Sequence, residues 1–493
     1  MTPVMLAARG GHLDVFLLLV THGCVLSPVA VDGNNILHMA CYGGNIAIVK
    51  HIVSLDIVDI SSRGQNGRTC VMTLANLGHN DGFTFVVENG GDVSLADEAG
   101  DNILHIACKG GHVETVTYIL SQSIVDVNSR GKDGETTLMM AARLGYREVF
   151  DECVCVGGNM YSVDTGGYNI LHKACLGGHV EMVKYVLSLN IVDVNSRGHF
   201  GRTPLMLAAY IGQKEVLDVV LSKGGDASLV DIHGDTILHL ACLGGNLEIV
   251  KYVLSQNIVD VNSRGQYNRT PLMMAARRGH GEVFYLVLHK GGDASLVDKY
   301  GDSILHLACL GGNLEIVKYD LSQKIFYVNS RGQYDRTPLM MAARMGYGEV
   351  FYLVLNIGGD ASLVDKYGDS ILHLACLGGN LEIVKYVLSQ NIVDVNSRGQ
   401  YNRTPLMVAA YMGHTEVLQL LFHEGGDASL EDRNGDNMLH LACLRGHVDI
   451  VKYVLSGTLV DINARNKDGA TAATIAKKNT HMDIYDLLIN YKD

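Results

Sequence analysis

The sequence predicts an all-α repeat solenoid of about fifteen helix-turn-helix units with projecting hairpin loops, in two alternating lengths, 33 and 34. Three observations predict it. His38, His105, His172, His239, His306, His373 and His440 rise in constant steps of 67, each inside an I-L-H-x-A-C or M-L-H-x-A-C frame. Thr2, Thr69, Thr136, Thr203, Thr270, Thr337, Thr404 and Thr471 recur at the same period, offset by 33 one way and 34 the other. Neither series slips anywhere in the 493 residues. A fixed period of this length marks stacked supersecondary units, each leaning on its neighbours, rather than one closed core. The domain reading is therefore one continuous array over residues 1–493.

One unit, from Arg269 to Tyr300, justifies the elements in order. Thr270 reads as an N-cap and Pro271 as the first helical residue, where its missing N–H costs nothing. Leu272, Ala275 and Ala276 form the apolar face of a short first helix, and the alanines allow close approach. Gly279 ends that helix in the left-handed region. Glu282 to Leu288 makes the second helix, and Gly291-Gly292 terminates it. Asp293 to Gly301 returns as an extended loop or hairpin to the next N-cap, Ser303. The companion unit, Asp235 to Asn268, repeats the plan with Gly244-Gly245 closing its first helix. There Asn257 replaces the terminating glycine, asparagine being the next residue to tolerate that conformation.

The pattern resembles the ankyrin repeat. The matching residues are Thr-Pro-Leu-Met at 203–206, 270–273, 337–340 and 404–407, Gly-His pairs such as Gly279-His280, and Asp-Val-Asn at 126–128, 193–195, 260–262 and 394–396. The Thr-type units carry Met where that family has His, and the His-type units lack Thr-Pro. The resemblance implies helix pairs stacked side by side with loops projecting at roughly a right angle. Arrays of this length are similar to scaffold ankyrins and to ankyrin-repeat regulatory subunits of protein phosphatases. The resemblance also implies hydroxylation by an oxygen-sensing dioxygenase at Asn128, Asn195, Asn262, Asn396 and Asn463, each with Leu eight residues upstream. Read from its own chemistry, each Asn bonds its own loop backbone.

Composition narrows the function classes. A net charge of -13 argues against a broad nucleic-acid footprint. The longest N-terminal apolar run, Phe16 to Val20, is too short to cross a bilayer. Cys41, Cys108, Cys175, Cys242, Cys309, Cys376 and Cys443 fall in alternate units, about 20 Å apart at helix-stacking distances. They cannot pair with one another, and behave as small buried hydrophobes in a reducing, cytoplasmic compartment. A His and a Cys at i and i+3 supply two ligands where zinc needs three or four, so no metal and no cofactor are expected. The periodic histidines bridge neighbouring loops, and no nucleophile has a unique context. The expectation is a non-enzyme.

Function must then sit where the repeat leaves positions free. Phe200, His233, Tyr267, Tyr300, Tyr334, Tyr367 and Tyr401 occupy equivalent or adjacent loop positions in seven consecutive units. At about 10 Å per unit they would form an evenly spaced stripe along the hairpin tips, and tyrosine is favoured at binding hot spots. Arg264, Arg331 and Arg398 flank one loop type and Asp231, Asp298 and Asp365 the other, as a solvated face able to orient a charged peptide. The expected function is a non-enzymatic scaffold or adaptor that binds other proteins along its concave groove and hairpin tips. The alternative is a regulatory subunit or fragment of a larger enzyme or channel.

Two kinds of unit depart from the pattern. Residues 1–33 read as an uncapped first repeat, so a truncated start or a covering polypeptide is expected, the chain being otherwise monomeric. Residues 466–493 read as a polar C-terminal cap, through Lys477-Lys478-Asn479 and Asn490-Tyr491-Lys492-Asp493. In the repeat from Arg68, Cys70 replaces Pro, Leu74 replaces a packing Ala, and Gly82 stands where Val283 sits, which reads as two separate defects. Asp320 replaces the core valine of Tyr252-Val253-Leu254, so a raised pKa and local loosening are expected.

Overall fold

The computed structural model describes residues 1–323, 327–457 and 460–491. Lys492 and Asp493, the end of the expected polar cap, lie outside the described residues. Among these residues there are thirty α-helices and six short 3-10 turns, and the extended segments form no strand, only three isolated bridges. The chain resolves into two compact units, Met1–Gly244 and Gly245–Asp493. In each of them the first helices of successive repeats pack side by side, as Pro271–Arg278 does on Ile304–Gly311, with the second helices in a row behind. Each unit is thus an all-α repeat solenoid.

The local reasons for each helix are those expected from the residues. The Thr270 hydroxyl accepts the Met273 N–H at 3.3 Å, Pro271 opens the helix, and Gly279 closes it at φ 72°. The second helix runs Gly281–His289, one residue longer at each end than expected. Asn257 does take the left-handed conformation, at φ 51°. The paired glycines have two different reasons. Gly311 is the last helical residue, and a Cβ there would lie 2.5 Å from the Ala276 carbonyl oxygen, so it permits the close approach of first helices. Gly312, at φ 73°, supplies the left-handed stop.

Second helices carry a tie that one unit read alone does not reveal. The Asn380 side chain caps its helix by accepting the Ile383 N–H (3.1 Å) and donates back to the Gly346 carbonyl of the preceding repeat (2.8 Å). In other copies a histidine reaches back to a carbonyl two residues earlier: His447 Nε2 lies 3.0 Å from the Tyr411 carbonyl.

The core follows the columns of the repeat. All seven periodic cysteines are free and buried. Burial pushes up the thiols of Cys108, Cys175, Cys242, Cys309, Cys376 and Cys443, the last of them to about 12. Asp320 is 1% exposed, both its carboxylate oxygens lack a partner, and burial pushes its pKa up to about 7.

The repeat from Arg68 departs from the expectation of two separate defects. Leu74 is fully buried, and a Cβ added to Gly82 would lie 2.9 Å from Leu74 Cδ2. The glycine makes the room that the larger leucine fills, so the two substitutions are complementary. Gly82→Val alone is expected to destabilise by about 1–2 kcal/mol through overpacking. Adding Leu74→Ala restores the Ala-Val pairing of other repeats and recovers most of that loss. Urea unfolding of the two single variants and the double variant measures the coupling, and simple additivity would count against complementarity.

Candidate functional site

The loop that enters each Thr-type unit is built on a tight reverse turn. In the sequence Gly265-Gln266-Tyr267-Asn268-Arg269, the Gly265 N–H bonds the Arg269 carbonyl at 2.8 Å. Tyr267 and Asn268 both hold positive φ, at 57° and 62°. Two successive left-handed residues define a type I′ turn, which Asn-Gly or Asp-Gly fills without strain. Earlier copies use those residues: Asn66-Gly67 and Asp133-Gly134. Later copies put aromatics there instead, with Phe200 at φ 56°, Tyr334 at 61° and Tyr401 at 59°. The conformation has a structural reason. It aims the carbonyl of the left-handed residue at the following loop, where Lys299 N–H bonds Tyr267 at 2.8 Å and Lys366 N–H bonds Tyr334 at 2.9 Å. Holding a large L-residue there costs roughly 1–2 kcal/mol, so an aromatic is retained against its own strain.

Tyr267, Tyr300, Tyr334, Tyr367 and Tyr401 are all exposed, between 37% and 49%. The even stripe expected from helix stacking is replaced by pairs. Tyr267 and Tyr300 centroids are 5.5 Å apart, as are Tyr334 and Tyr367, while Phe200 and His233 are 5.3 Å apart. Phe200, Tyr267 and Tyr334 each lean onto the ring of the following turn, so pairs form within couples of repeats, whereas Tyr401 is followed by Asn434. Cations cover them. Lys366 Nζ sits 4.6 Å from Tyr334 and 4.9 Å from Tyr367, and the guanidiniums of Arg403 and Arg433 flank Tyr401 at 5.3 and 5.4 Å.

The arginines beside this row are engaged in holding loops together. Arg264 Nη1 donates to the Asn268 carbonyl of its own turn (2.7 Å) and the Val297 carbonyl of the next repeat (2.9 Å). Arg331 does the same to Asp335 and Val364, and Arg398 to Asn402 and Glu431. Asp231, Asp298 and Asp365 are buried, each 4% exposed, which corrects their placing on a solvated face. Asp298 accepts from Arg269 Nε at 2.9 Å and from the backbone N–H groups of Tyr300 and Asp302. A loop carboxylate reads as solvated in a sequence; here a buried arginine of the preceding loop compensates it.

Asn128, Asn195, Asn262 and Asn396 bond the next loop rather than their own. Asn262 Nδ2 donates to the Gly291 carbonyl (3.0 Å), and its Oδ1 accepts the Asp293 N–H (2.8 Å). Asn128, Asn195 and Asn396 repeat both bonds, as does Asn329, which falls outside the Asp-Val-Asn motif because Tyr327 replaces the Asp. Among the described residues, Asn463 has the local bond from its N–H to Asp461, at 2.9 Å, and the position equivalent to Gly291 lies outside them.

The histidine columns are loop bridges. His306 Nε2 lies 3.1 Å from the Ser330 carbonyl and 3.2 Å from that of Arg336, while the Ser303 N–H points to Nδ1 at 3.2 Å. Carbonyls only accept, so Nε2 carries the proton and the ring is neutral. Burial lowers the pKa of His38, His105, His306 and His373, and that of His172 to about 4. Among the described residues no cluster of three or more His, Cys, Asp or Glu could hold a metal ion, and no helix is long and apolar enough to cross a membrane.

The family described as ankyrin repeats (three copies) matches residues 1–64, 71–152, 138–231, 212–296, 281–361, 347–432 and 416–493. The chain is 25% identical over 481 residues to the human transient receptor potential cation channel subfamily A member 1, covering 86% of this chain and 42% of the channel. It is 30% identical over 249 residues to the ankyrin repeat protein nuc-2 of Neurospora crassa, covering 50% of this chain and 23% of that protein. It is 24% identical over 357 residues to the E3 ubiquitin-protein ligase KEG of Arabidopsis thaliana, covering 66% of this chain and 22% of the ligase. The chain thus spans less than half the length of each of these relatives. The matches, the double period and the capped helix pairs have one explanation: this chain belongs to the ankyrin-repeat family.

Proposed function

We propose that this chain is a non-enzymatic protein-binding scaffold or adaptor, with the aromatic turns of residues 267–401 as one docking surface. The observation that carries the reading is the set of aromatic residues held at positive φ on exposed I′ turns. Asn66 and Asp133 fill the same turn without that strain, so folding does not require the aromatics. Exposed, rigid tyrosines with cations beside them supply large contact area at low entropy. The proposal includes one uninterrupted array, since the period passes through Gly244-Gly245 without a slip, and a cytoplasmic location. A second reading, a regulatory segment of a larger channel or enzyme, is favoured by the lengths of the relatives, which include a cation channel and a ubiquitin ligase.

The test replaces Tyr267, Tyr334 and Tyr401 by Asn, the residue native to this turn at Asn66. Relief of roughly 1–2 kcal/mol of strain per turn offsets loss of a ring pair worth about 0.5–1.5 kcal/mol. Thermal unfolding should therefore move little. Cross-linking with wild type should recover partners that the triple variant loses. Identical recovery from both would exclude the turns as a docking surface.

A further inference from the structure

The repeats beginning at Arg269 and Arg336 contain an arrangement of charge that the other copies avoid. Two columns face each other at the start and end of each first helix. In the copy from Glu135, the carboxylate pairs with Arg143 at 3.1 Å. In the copy from Arg403, the facing residue is Tyr411, whose ring takes the Arg403 guanidinium at 4.7 Å. Of the three copies between, that from Arg202 again has a tyrosine, Tyr210, in the facing column, and in the other two arginine faces arginine: Arg269 with Arg277, and Arg336 with Arg344. Arg269 and Arg336 are neutralised by Asp298 and Asp365, each at 2.9 Å. Arg277, Arg278 and Arg344 have no ion pair among the described residues, and Arg277 Nε is buried without a hydrogen-bond partner. Burial, then the neighbouring Arg269, lowers the pKa of Arg277, and burial with Arg336 does the same to Arg344.

These five guanidiniums line one cavity of about 530 Å³. A second cavity of about 300 Å³ shares Tyr334, Arg336 and Arg344 with it and continues to Arg403 and Tyr411. The two form one groove across five successive repeats, lined by cations and aromatic rings, with Asp302 and Asp369 as its carboxylates, 4.0 Å from Arg269 and Arg336 respectively. In a chain of net charge -13, a concentration of unpaired positive charge is not a general property of the surface. It destabilises the fold locally by like-charge repulsion, which points to a compensating anion.

The dimensions select the kind of anion. Repeats stack at about 10 Å, so Arg277 and Arg344, two repeats apart, are separated by about 20 Å. One phosphate group cannot span them. An extended polypeptide rises about 3.3 Å per residue, and about twelve residues would follow the whole groove. We propose that this groove binds an extended acidic peptide segment of a partner protein, with separate carboxylates paired to Arg277 and Arg344. Guanidinium and carboxylate match in a bidentate fork, and Tyr334 lines both cavities with Arg344.

The proposal deepens the protein-binding reading and rests on it. A fluorescein-labelled twelve-residue peptide of alternating Glu and Ser is titrated against the full chain by fluorescence anisotropy, with an alternating Lys and Ser peptide as control. The Glu peptide should bind, weaken as salt is raised, and lose at least tenfold in affinity to an Arg277→Gln/Arg344→Gln variant. A Lys251→Gln/Lys385→Gln variant removes equal charge from the outer helices and should bind as wild type does. The arginine variant should keep or raise its thermal midpoint, since it removes repulsion, so a loss of binding is not a loss of fold. Equal loss in both variants, no loss in the arginine variant, or equal binding of the Lys peptide would overturn the proposal. Tripolyphosphate competing at lower concentration than the peptide itself would assign the groove to phosphate and overturn it too. A negative peptide result leaves the tyrosine cross-linking intact, so the two readings fail separately.

Discussion

Asp320→Val is expected to raise stability by about 4 kcal/mol at pH 7, the largest single-substitution effect expected for this chain. Asp320 lies in the helix Leu314–Gln323, buried, with neither oxygen hydrogen-bonded. Its carboxyl titrates near 7 in the folded chain against an ordinary value of 3.8, because burial penalises the charge. The folded state therefore prefers the neutral acid. The penalty is absent below about pH 3.8, grows as pH rises and is complete above about 7. At pH 5 the gain from valine shrinks to about 2 kcal/mol. The equivalent positions show that valine fits: Val253 is 5% exposed and Val387 and Val454 are at most 1%. Because repeats stabilise one another only through neighbours, the gain should appear first as slower amide exchange in this helix and the next. Equal stability of the two proteins at pH 7 would refute the assignment.

Acidification from pH 7 to 5 is expected to loosen the chain through the histidine columns, with the opposite sign. Burial favours the neutral ring in the folded chain and holds His172 at about 4 against an ordinary 6.5. The unfolded chain takes up protons first. Stability is thus fully present above about 6.5 and is lost as pH falls toward 4. His172 alone accounts for about 2 kcal/mol by pH 5. His38, His105, His306 and His373 shift in the same direction and add to it. Urea unfolding at pH 7, 6 and 5 should give midpoints that fall steadily. In the repeat that holds Asp320 the two titrations oppose, so amide exchange there should slow on acidification relative to the repeats on either side. A flat profile would mean that the histidines bear charge when folded.

Much of this was legible in the sequence because a repeat is its own comparison. Thr270, Pro271 and Gly279 announce a helix wherever they fall, and Asp320 stands out once it is set beside Val253 and Val387. What escaped were relations between positions. Leu74 and Gly82 each look defective against their own columns, and only contact reveals that one makes room for the other. Asp298 looks solvated until Arg269 is found against it. Arg264 looks free until its two carbonyl partners are seen in different loops. The tyrosine row was visible, but its pairing depends on ring direction, which follows from the I′ turn. That turn was itself legible in Asn66-Gly67 and Asp133-Gly134, both strong hairpin signals.

The loop ties also set how neighbouring repeats flex within each unit. On the loop side, an arginine and an asparagine side chain cross to the following backbone, as Arg331 and Asn329 do to Val364, Gly358 and Asp360. On the opposite side, the second helices are joined more sparsely, by single bonds such as that from the Tyr352 hydroxyl to the Glu382 carbonyl at 3.2 Å, with apolar side chains making the rest of the contact. Dispersion yields gradually with separation, whereas hydrogen bonds at 2.7–3.0 Å break over a few tenths of an ångström. Successive repeats then act like leaves sewn tightly along one margin: they fan apart at the more loosely sewn edge while the stitched edge keeps its length. Elastic strain imposed on either unit would be taken up at the backs of the helices, leaving the spacing of the turns unchanged.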